Sequence, residues 1–87
     1  MPCYTYILRC ADGTLYTGWT TNLDARERAH NAGRGSKYTA ARRPVRIVYS
    51  ESHESRSSAQ QREAALKRLS RAEKLAIIGA GPAGSAS

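Results

Sequence analysis

Arg26 and His30 stand four residues apart in "DARERAHN", a spacing that stacks both side chains on one face of a helix. A guanidinium grips phosphate oxygens bidentately and stays charged, and an imidazole exchanges protons near neutral pH. Helices also carry such pairs on solvated faces, so the pair alone does not define a site. Glu63 lies in a later helical stretch whose apolar stripe is Ala59, Leu66 and Leu69, and it falls at the edge of that stripe. A carboxylate beside a core needs a partner. One reading is a salt bridge, with Arg26 as its other half. The other is a Mg²⁺ ligand, because Mg²⁺ often takes only one or two protein carboxylates and keeps its waters.

Three of the five tyrosines fall in "YTYILRCADGTLYTG", Tyr4 to Gly18, two short runs joined by a turn, which is the outline of a β-hairpin. The length of the turn decides which way the phenols face. A two-residue turn at Asp12-Gly13 pairs Tyr6 with Trp19 and puts Tyr16 on the other face. A three-residue loop, Ala11-Asp12-Gly13 with Gly13 left-handed, pairs Leu8 with Tyr16 and Tyr6 with Gly18, and sets Tyr6 and Tyr16 on one face. The second is a common loop form and is the register expected here. Gly18 is then a gap beside Tyr6 through which a ligand can approach. Two rings packed in a core would have the same pattern.

The elements that must position these groups can be placed along the chain. Strands are expected at Tyr4–Cys10 and Thr14–Thr20, then a helix in "TNLDARERAHNAG" capped by Thr21 or Asn22 and stopped by Gly33. Leu23 is its only large apolar residue, so its inward face reads as a site rather than core. "VRIVYS", Val45 to Ser50, reads as a third strand and "ESHESR" as a polar turn that leaves His53 solvated. Ser57 with Gln60 has the form of a capping box opening a helix to about Leu69, and Ser70 with Glu73 opens a last helix to Ile78, stopped by Gly79. The order is β-β-α-β-α-α: an α+β domain with a small three-stranded antiparallel sheet flanked by helices. Residues 1–78 form one domain, and the small-residue stretch 79–87 is expected to be a disordered tail. Trp19 is assigned to the core.

With 87 residues and 40% hydrophobic content, a second core is excluded and the first is modest. Fourteen Lys and Arg against seven Asp and Glu give +7, a balance that favours a polyanionic partner. Between Asn31 and Arg46 there is no acidic residue, while Arg34, Lys37, Arg42, Arg43 and Arg46 all fall there with Tyr38 among them. Together with Lys67 these are the expected nucleic-acid contacts: a flexible basic loop with one ring available for stacking. Cys3 and Cys10 are read as free thiols of a reducing cytoplasm. No run suits a membrane span and no signal-peptide pattern opens the chain, so a cytoplasmic protein is expected.

In order along the chain, "YTY" at Tyr4 to Tyr6, "YTG" at Tyr16 to Gly18, the helix bearing Arg26 and His30, and "REA" at Arg62 to Ala64 resemble the motifs of the GIY-YIG nuclease superfamily. "GRGSKYTAARRPVRIVYSE" is similar to the small stand-alone bacterial members, the YhbQ-like group. The resemblance runs from about Tyr4 to Ile78. Tyr4 stands where the first tripeptide has Gly, and Thr5 and Thr17 where the middle residues are Ile, which points away from the restriction and homing branches. The resemblance implies a DNA endonuclease that depends on Mg²⁺ or Mn²⁺. Glu63 would hold the metal, and Arg26 would neutralise charge on the phosphate. Tyr6 or Tyr16 would activate water after nearby cations lower its pKa, and His30 would accept or relay a proton or hold the phosphate. So little surface is left for reading bases that single-stranded or branched DNA is the expected substrate, in repair or processing, and no protein partner is implied. The rivals are a non-catalytic nucleic-acid-binding module on the same fold, and a protein-interaction domain charged for solubility or for docking on acidic partners.

Overall fold

Cys3–Arg9 (β1) and Leu15–Thr20 (β2) form the hairpin in the three-residue register: Leu8 faces Tyr16 and Tyr6 faces Gly18 in this computed structural model, which describes residues 2–80. Gly13 takes φ +85°, and its N–H donates to the Cys10 carbonyl at 2.9 Å, closing the turn. The left-handed backbone there explains the glycine. Arg46–His53 (β3) adds to the other edge of β1, also antiparallel, so the sheet order is β2-β1-β3.

Four helices accompany the sheet: Leu23–Asn31 (α1), Lys37–Ala40 (α2), Arg56–Lys67 (α3) and Arg71–Ala80 (α4). Asn22 caps α1, its side-chain oxygen accepting from Ala25 N–H at 3.0 Å. Gly33 at φ +84° ends it, with Gly33 N–H donating to His30 O and Arg34 N–H to Ala29 O, a paired C-terminal closure that needs the left-handed residue. Ser70 and Glu73 cap α4 reciprocally, at 2.9 and 3.2 Å. One apolar cluster joins Tyr6, Leu8, Cys10 and Val45, with Tyr16, Leu23 and Ile47 against it. A second joins Ile7, Tyr49 and Leu66, with Leu15, Leu69, Ile77 and Ile78 against it. Alternation along β1 sends Tyr6 and Leu8 to one cluster and Ile7 to the other.

The α+β class and the three-stranded antiparallel sheet agree with the expectation, while several local readings are corrected. The basic stretch is not a plain loop: Ser36 caps a turn of helix, α2, by accepting from Thr39 N–H at 3.1 Å. β3 continues through "ESH" to His53, because Thr5 and Cys3 pair with Glu51 and His53 and because Glu51, 6% exposed, finds partners inside. Its carboxylate accepts from Tyr49 Oη at 2.5 Å and Arg62 Nε at 2.7 Å and lies 3.1 Å from His53 Nε2. His53 is therefore half-buried in a network rather than solvated. With the strand longer, α3 starts sooner, capped by Ser55 rather than Ser57, and Thr5 Oγ1 donates to its Ala59 carbonyl at 2.9 Å. α3 also ends sooner than expected, at Lys67 with Arg68 as its cap. α4 runs through Gly79 to Ala80, so Gly79 is no stop. Most of the expected tail, residues 81–87, lies outside the described residues. Cys3 and Cys10 are both buried and free. Among the described residues, no helix is long and apolar enough to cross a membrane.

A candidate active site at the β2 side of the sheet

His30 is the buried residue of α1, and it is buried by polar neighbours. Its Nε2 lies 3.0 Å from Tyr6 Oη and its Nδ1 2.7 Å from Thr39 Oγ1. Tyr16 meets the imidazole edge-on at 5.3 Å between centroids. Gly35 lies against the ring so closely that a Cβ there would overlap Nδ1 and Cγ. The basic segment thus forms one wall of a cradle for His30, and that is why it is ordered where a flexible loop was expected.

Arg26, one turn before His30, faces the same space, and Glu63 enters it from α3. Tyr6, Tyr16, Gly18, Trp19, Arg26, His30, Gly35 and Glu63 together line a pocket of about 190 Å³. That is room for a phosphate group and a few waters, at about 30 Å³ per water. A larger hollow lined by Asn31, Ala40, Ala41, Arg43 and Pro44 holds no group suited to acid–base chemistry. All five residues expected to do chemistry thus converge, from β1, β2, α1 and α3. Gly18 is a gap as expected, but the Tyr6 phenol lies over it rather than a ligand: a Cβ at Gly18 would be 2.5 Å from Tyr6 Oη.

Burial pushes the Tyr6 phenol well above its ordinary range, Arg26 pulling it part of the way back while Tyr16 and Glu63 add to the rise. Burial also lowers the His30 pKa, and the Arg26 charge lowers it further. Both groups are therefore neutral at pH 7, joined by a hydrogen bond between two uncharged partners. The lowered tyrosine pKa expected from nearby cations is not what Tyr6 has, because desolvation outweighs Arg26.

Glu63 makes its ion pair with Lys67, at 3.4 Å, rather than with Arg26. Lys67, expected at the nucleic acid, is exposed and engaged by that pairing. Among the described residues, no three His, Cys, Asp or Glu side chains cluster as a metal site made by protein alone. A single hard carboxylate facing a pocket sized for phosphate does fit Mg²⁺ or Mn²⁺ whose other ligands are phosphate and water.

The remaining basic residues divide. Arg34, Lys37 and Arg46 are exposed. Arg43 is committed to the fold, donating to the Ala40 carbonyl at 2.9 Å and the Asn31 carbonyl at 3.3 Å. Arg42 pairs with Asp12 at 3.1 Å, and its guanidinium lies 3.9 Å over the Tyr38 ring. Tyr38 also stacks on Tyr16 at 5.9 Å, so this ring already has neighbours instead of standing free. Trp19, assigned to the core, lines the pocket, with Arg56 over its ring at 5.6 Å. Thr39 and Gly35 are neighbours of His30 that sequence reasoning does not single out. The close repeat of glycine in "GRGS" is the one available sign that a backbone approaches something there.

The family model described as the GIY-YIG catalytic domain matches residues 2–76. This chain belongs to the GIY-YIG family. Its relatives include a UPF0213 protein of Syntrophus aciditrophicus, 52% identical over 80 residues, covering 91% of this chain and 92% of that one. Among solved structures, the UPF0213 protein BH0048 of Bacillus halodurans matches with a TM-score of 0.58 and 42% identity, over 91% of this chain and 84% of that one. The E. faecalis protein EF2693 matches with a TM-score of 0.58 and 46% identity, over 85% and 79%. Family membership puts the chain among GIY-YIG nucleases by descent, with a nucleic acid as the substrate class. The pocket holds the tyrosines, arginine, histidine and glutamate on which the resemblance rests.

Proposed function

We propose that this protein is a divalent-metal-dependent endonuclease that hydrolyses phosphodiester bonds of DNA at the pocket between the hairpin, α1 and α3. The observation that carries the reading is the convergence of Tyr6, Tyr16, Arg26, His30 and Glu63 on a cavity of about 190 Å³. Arg26 holds the phosphate and faces the charge that grows on its oxygens during attack. Tyr6 is the phenol whose proton has an acceptor in place, so it is the tyrosine assigned to water. As its oxygen takes a proton from the attacking water, its own proton passes to His30 Nε2, 3.0 Å away. A proton handed on in this way does not require a phenolate at rest, which agrees with a raised Tyr6 pKa. Tyr16 closes the pocket beside the imidazole. Glu63 would hold Mg²⁺ or Mn²⁺, which when bound neutralises charge on the phosphate and on the departing oxygen.

The exposed Arg34, Lys37 and Arg46 supply positive charge for a phosphate backbone, and so small a domain has little spare surface for reading bases. Single-stranded or branched DNA is therefore the proposed substrate, in repair or another DNA-processing step. The test is to incubate the protein with labelled single-stranded, duplex and branched DNA in Mg²⁺, in Mn²⁺ and in chelator, beside Glu63→Gln. Cleavage that is lost with chelator and in the variant supports the nuclease. Equal cutting of plain duplex removes the strand preference. Binding with a steep salt slope and no cleavage by either protein makes the chain a binding module on this fold.

A further inference from the structure

The two ring nitrogens of His30 have different partners, and only one tautomer gives every donor among them an acceptor. Thr39 is fully buried, and its hydroxyl touches three groups: His30 Nδ1 at 2.7 Å, Ser36 Oγ at 3.0 Å and the Ser36 carbonyl at 3.3 Å. The Thr39 hydroxyl proton has more than one acceptor in reach, and when it points to the Ser36 carbonyl or to Ser36 Oγ a lone pair of Thr39 Oγ1 is left for Nδ1. Ser36 Oγ already accepts from Thr39 N–H at 3.1 Å, which leaves its own proton to point at Thr39 Oγ1 or outward. With its proton on Ser36, Thr39 Oγ1 faces Nδ1 as an acceptor, and Nδ1 carries the hydrogen. Nε2 is then bare and receives the Tyr6 hydroxyl. The opposite arrangement has Nε2–H donating to the phenol oxygen. It makes the weaker acid the donor and leaves the Tyr6 proton, on a residue 2% exposed, without an acceptor among these groups.

We infer that Thr39 is a positioning residue: held by Ser36, it fixes His30 as the Nδ1–H tautomer so that Nε2 can take the proton of Tyr6. A second observation is independent of these hydrogen bonds. Gly35 is packed on the imidazole where any Cβ would overlap it, so the segment from Gly35 to Thr39 is built onto the ring and holds its plane as well as its proton. Neither Ser36 nor Thr39 lines the pocket. Thr39 acts through His30, as the outer partner of a histidine ligand or base commonly does.

The inference rests on the pocket being a site of proton transfer, but the tautomer can be measured without turnover. Long-range ¹H–¹⁵N correlation of the His30 ring, at a pH where it is neutral, is expected to show Nδ1 protonated and Nε2 bare in the unaltered protein and in Thr39→Ser. In Thr39→Val, which keeps the shape and loses the hydroxyl, the signals are expected to shift toward the other tautomer or a mixture. Cleavage, if the nuclease reading holds, falls by about 10- to 100-fold in kcat with KM little changed, and Thr39→Ser restores it. An unaltered protein with Nε2 protonated overturns the inference, and so does a Thr39→Val protein with an unchanged tautomer. Should Thr39→Val not fold, the tautomer of the unaltered protein still decides. A chain that cuts no DNA yet shows the Thr39-dependent tautomer sinks the nuclease and leaves the positioning role standing.

Discussion

The Tyr6 phenol occupies the space that a side chain at Gly18 would fill: a Cβ there would lie 2.5 Å from Tyr6 Oη and 2.7 Å from Cζ. The two residues are cross-strand partners in the hairpin, so the glycine and the ring position specify one another. The ring is held by the apolar cluster around Leu8 and by His30, and it has nowhere to retreat.

Gly18→Ala is therefore expected to cost stability, by about 1–3 kcal/mol as overpacking commonly does, and to pull the hydroxyl away from His30. Urea unfolding gives the first and the His30 ring signals the second. Tyr6→Phe removes the nearest clashing atom, so the double variant should lose less than the two single losses summed. Strict additivity would mean that the methyl group is accommodated elsewhere.

Glu51 anchors α3 to the sheet, and Arg62, the residue it holds, is the neighbour of Glu63. Glu51→Ala strips the Tyr49 hydroxyl and Arg62 of their acceptor. Because Arg62 is 38% exposed and water can serve it, the expected cost is about 1–3 kcal/mol, read as a lower urea midpoint. Glu51→Gln keeps the shape and should cost less. If Glu51→Ala leaves the midpoint unchanged, the network does not hold the helix.

His30 predicts the direction of acid destabilisation. Its folded pKa lies below the ordinary value of about 6.5, so the unfolded chain binds the proton first as pH falls. Its contribution is complete above about pH 6.5 and is lost as pH falls through that value toward the lower folded pKa. Unfolding midpoints between pH 7 and pH 5 should drop more steeply for the native protein than for His30→Gln, with His53 present in both. Parallel curves would remove His30 as the source.

Basic residues that look alike in sequence are expected to separate in function. Replacing Arg34, Lys37 or Arg46 with Ala should leave stability within about 0.5 kcal/mol. The salt slope of single-strand binding should fall by about 0.7 for each phosphate that is no longer neutralised. Arg43→Ala frees the Asn31 and Ala40 carbonyls that it ties together, so its effect should appear in the urea midpoint. A full salt slope in all three exposed variants would place the nucleic acid elsewhere.

The hairpin register is decided by local chemistry. A three-residue loop ending in left-handed glycine has one strand pairing, and that pairing puts Tyr6 and Tyr16 on one face. The Arg26–His30 spacing, the α1 stop at Gly33 and the Ser70–Glu73 cap are likewise properties of a few neighbouring residues. What no local pattern carries depends on groups distant in sequence. Glu51 reads as polar turn until Arg62, Tyr49 and His53 surround it, and only that surrounding makes "ESH" a strand. "GSKYT" reads as loop until His30 gives Thr39 and Gly35 something to pack on. Nearby cations are expected to soften one of the two phenols, Tyr6 or Tyr16, yet at Tyr6 burial, which exists only once sheet and helix close over the ring, drives the pKa the other way. Residue types and spacing therefore determine which groups are available and which way they start out. The free energy of desolvation, set by tertiary packing, decides which of them are charged, which are held, and which tyrosine has a partner for its proton.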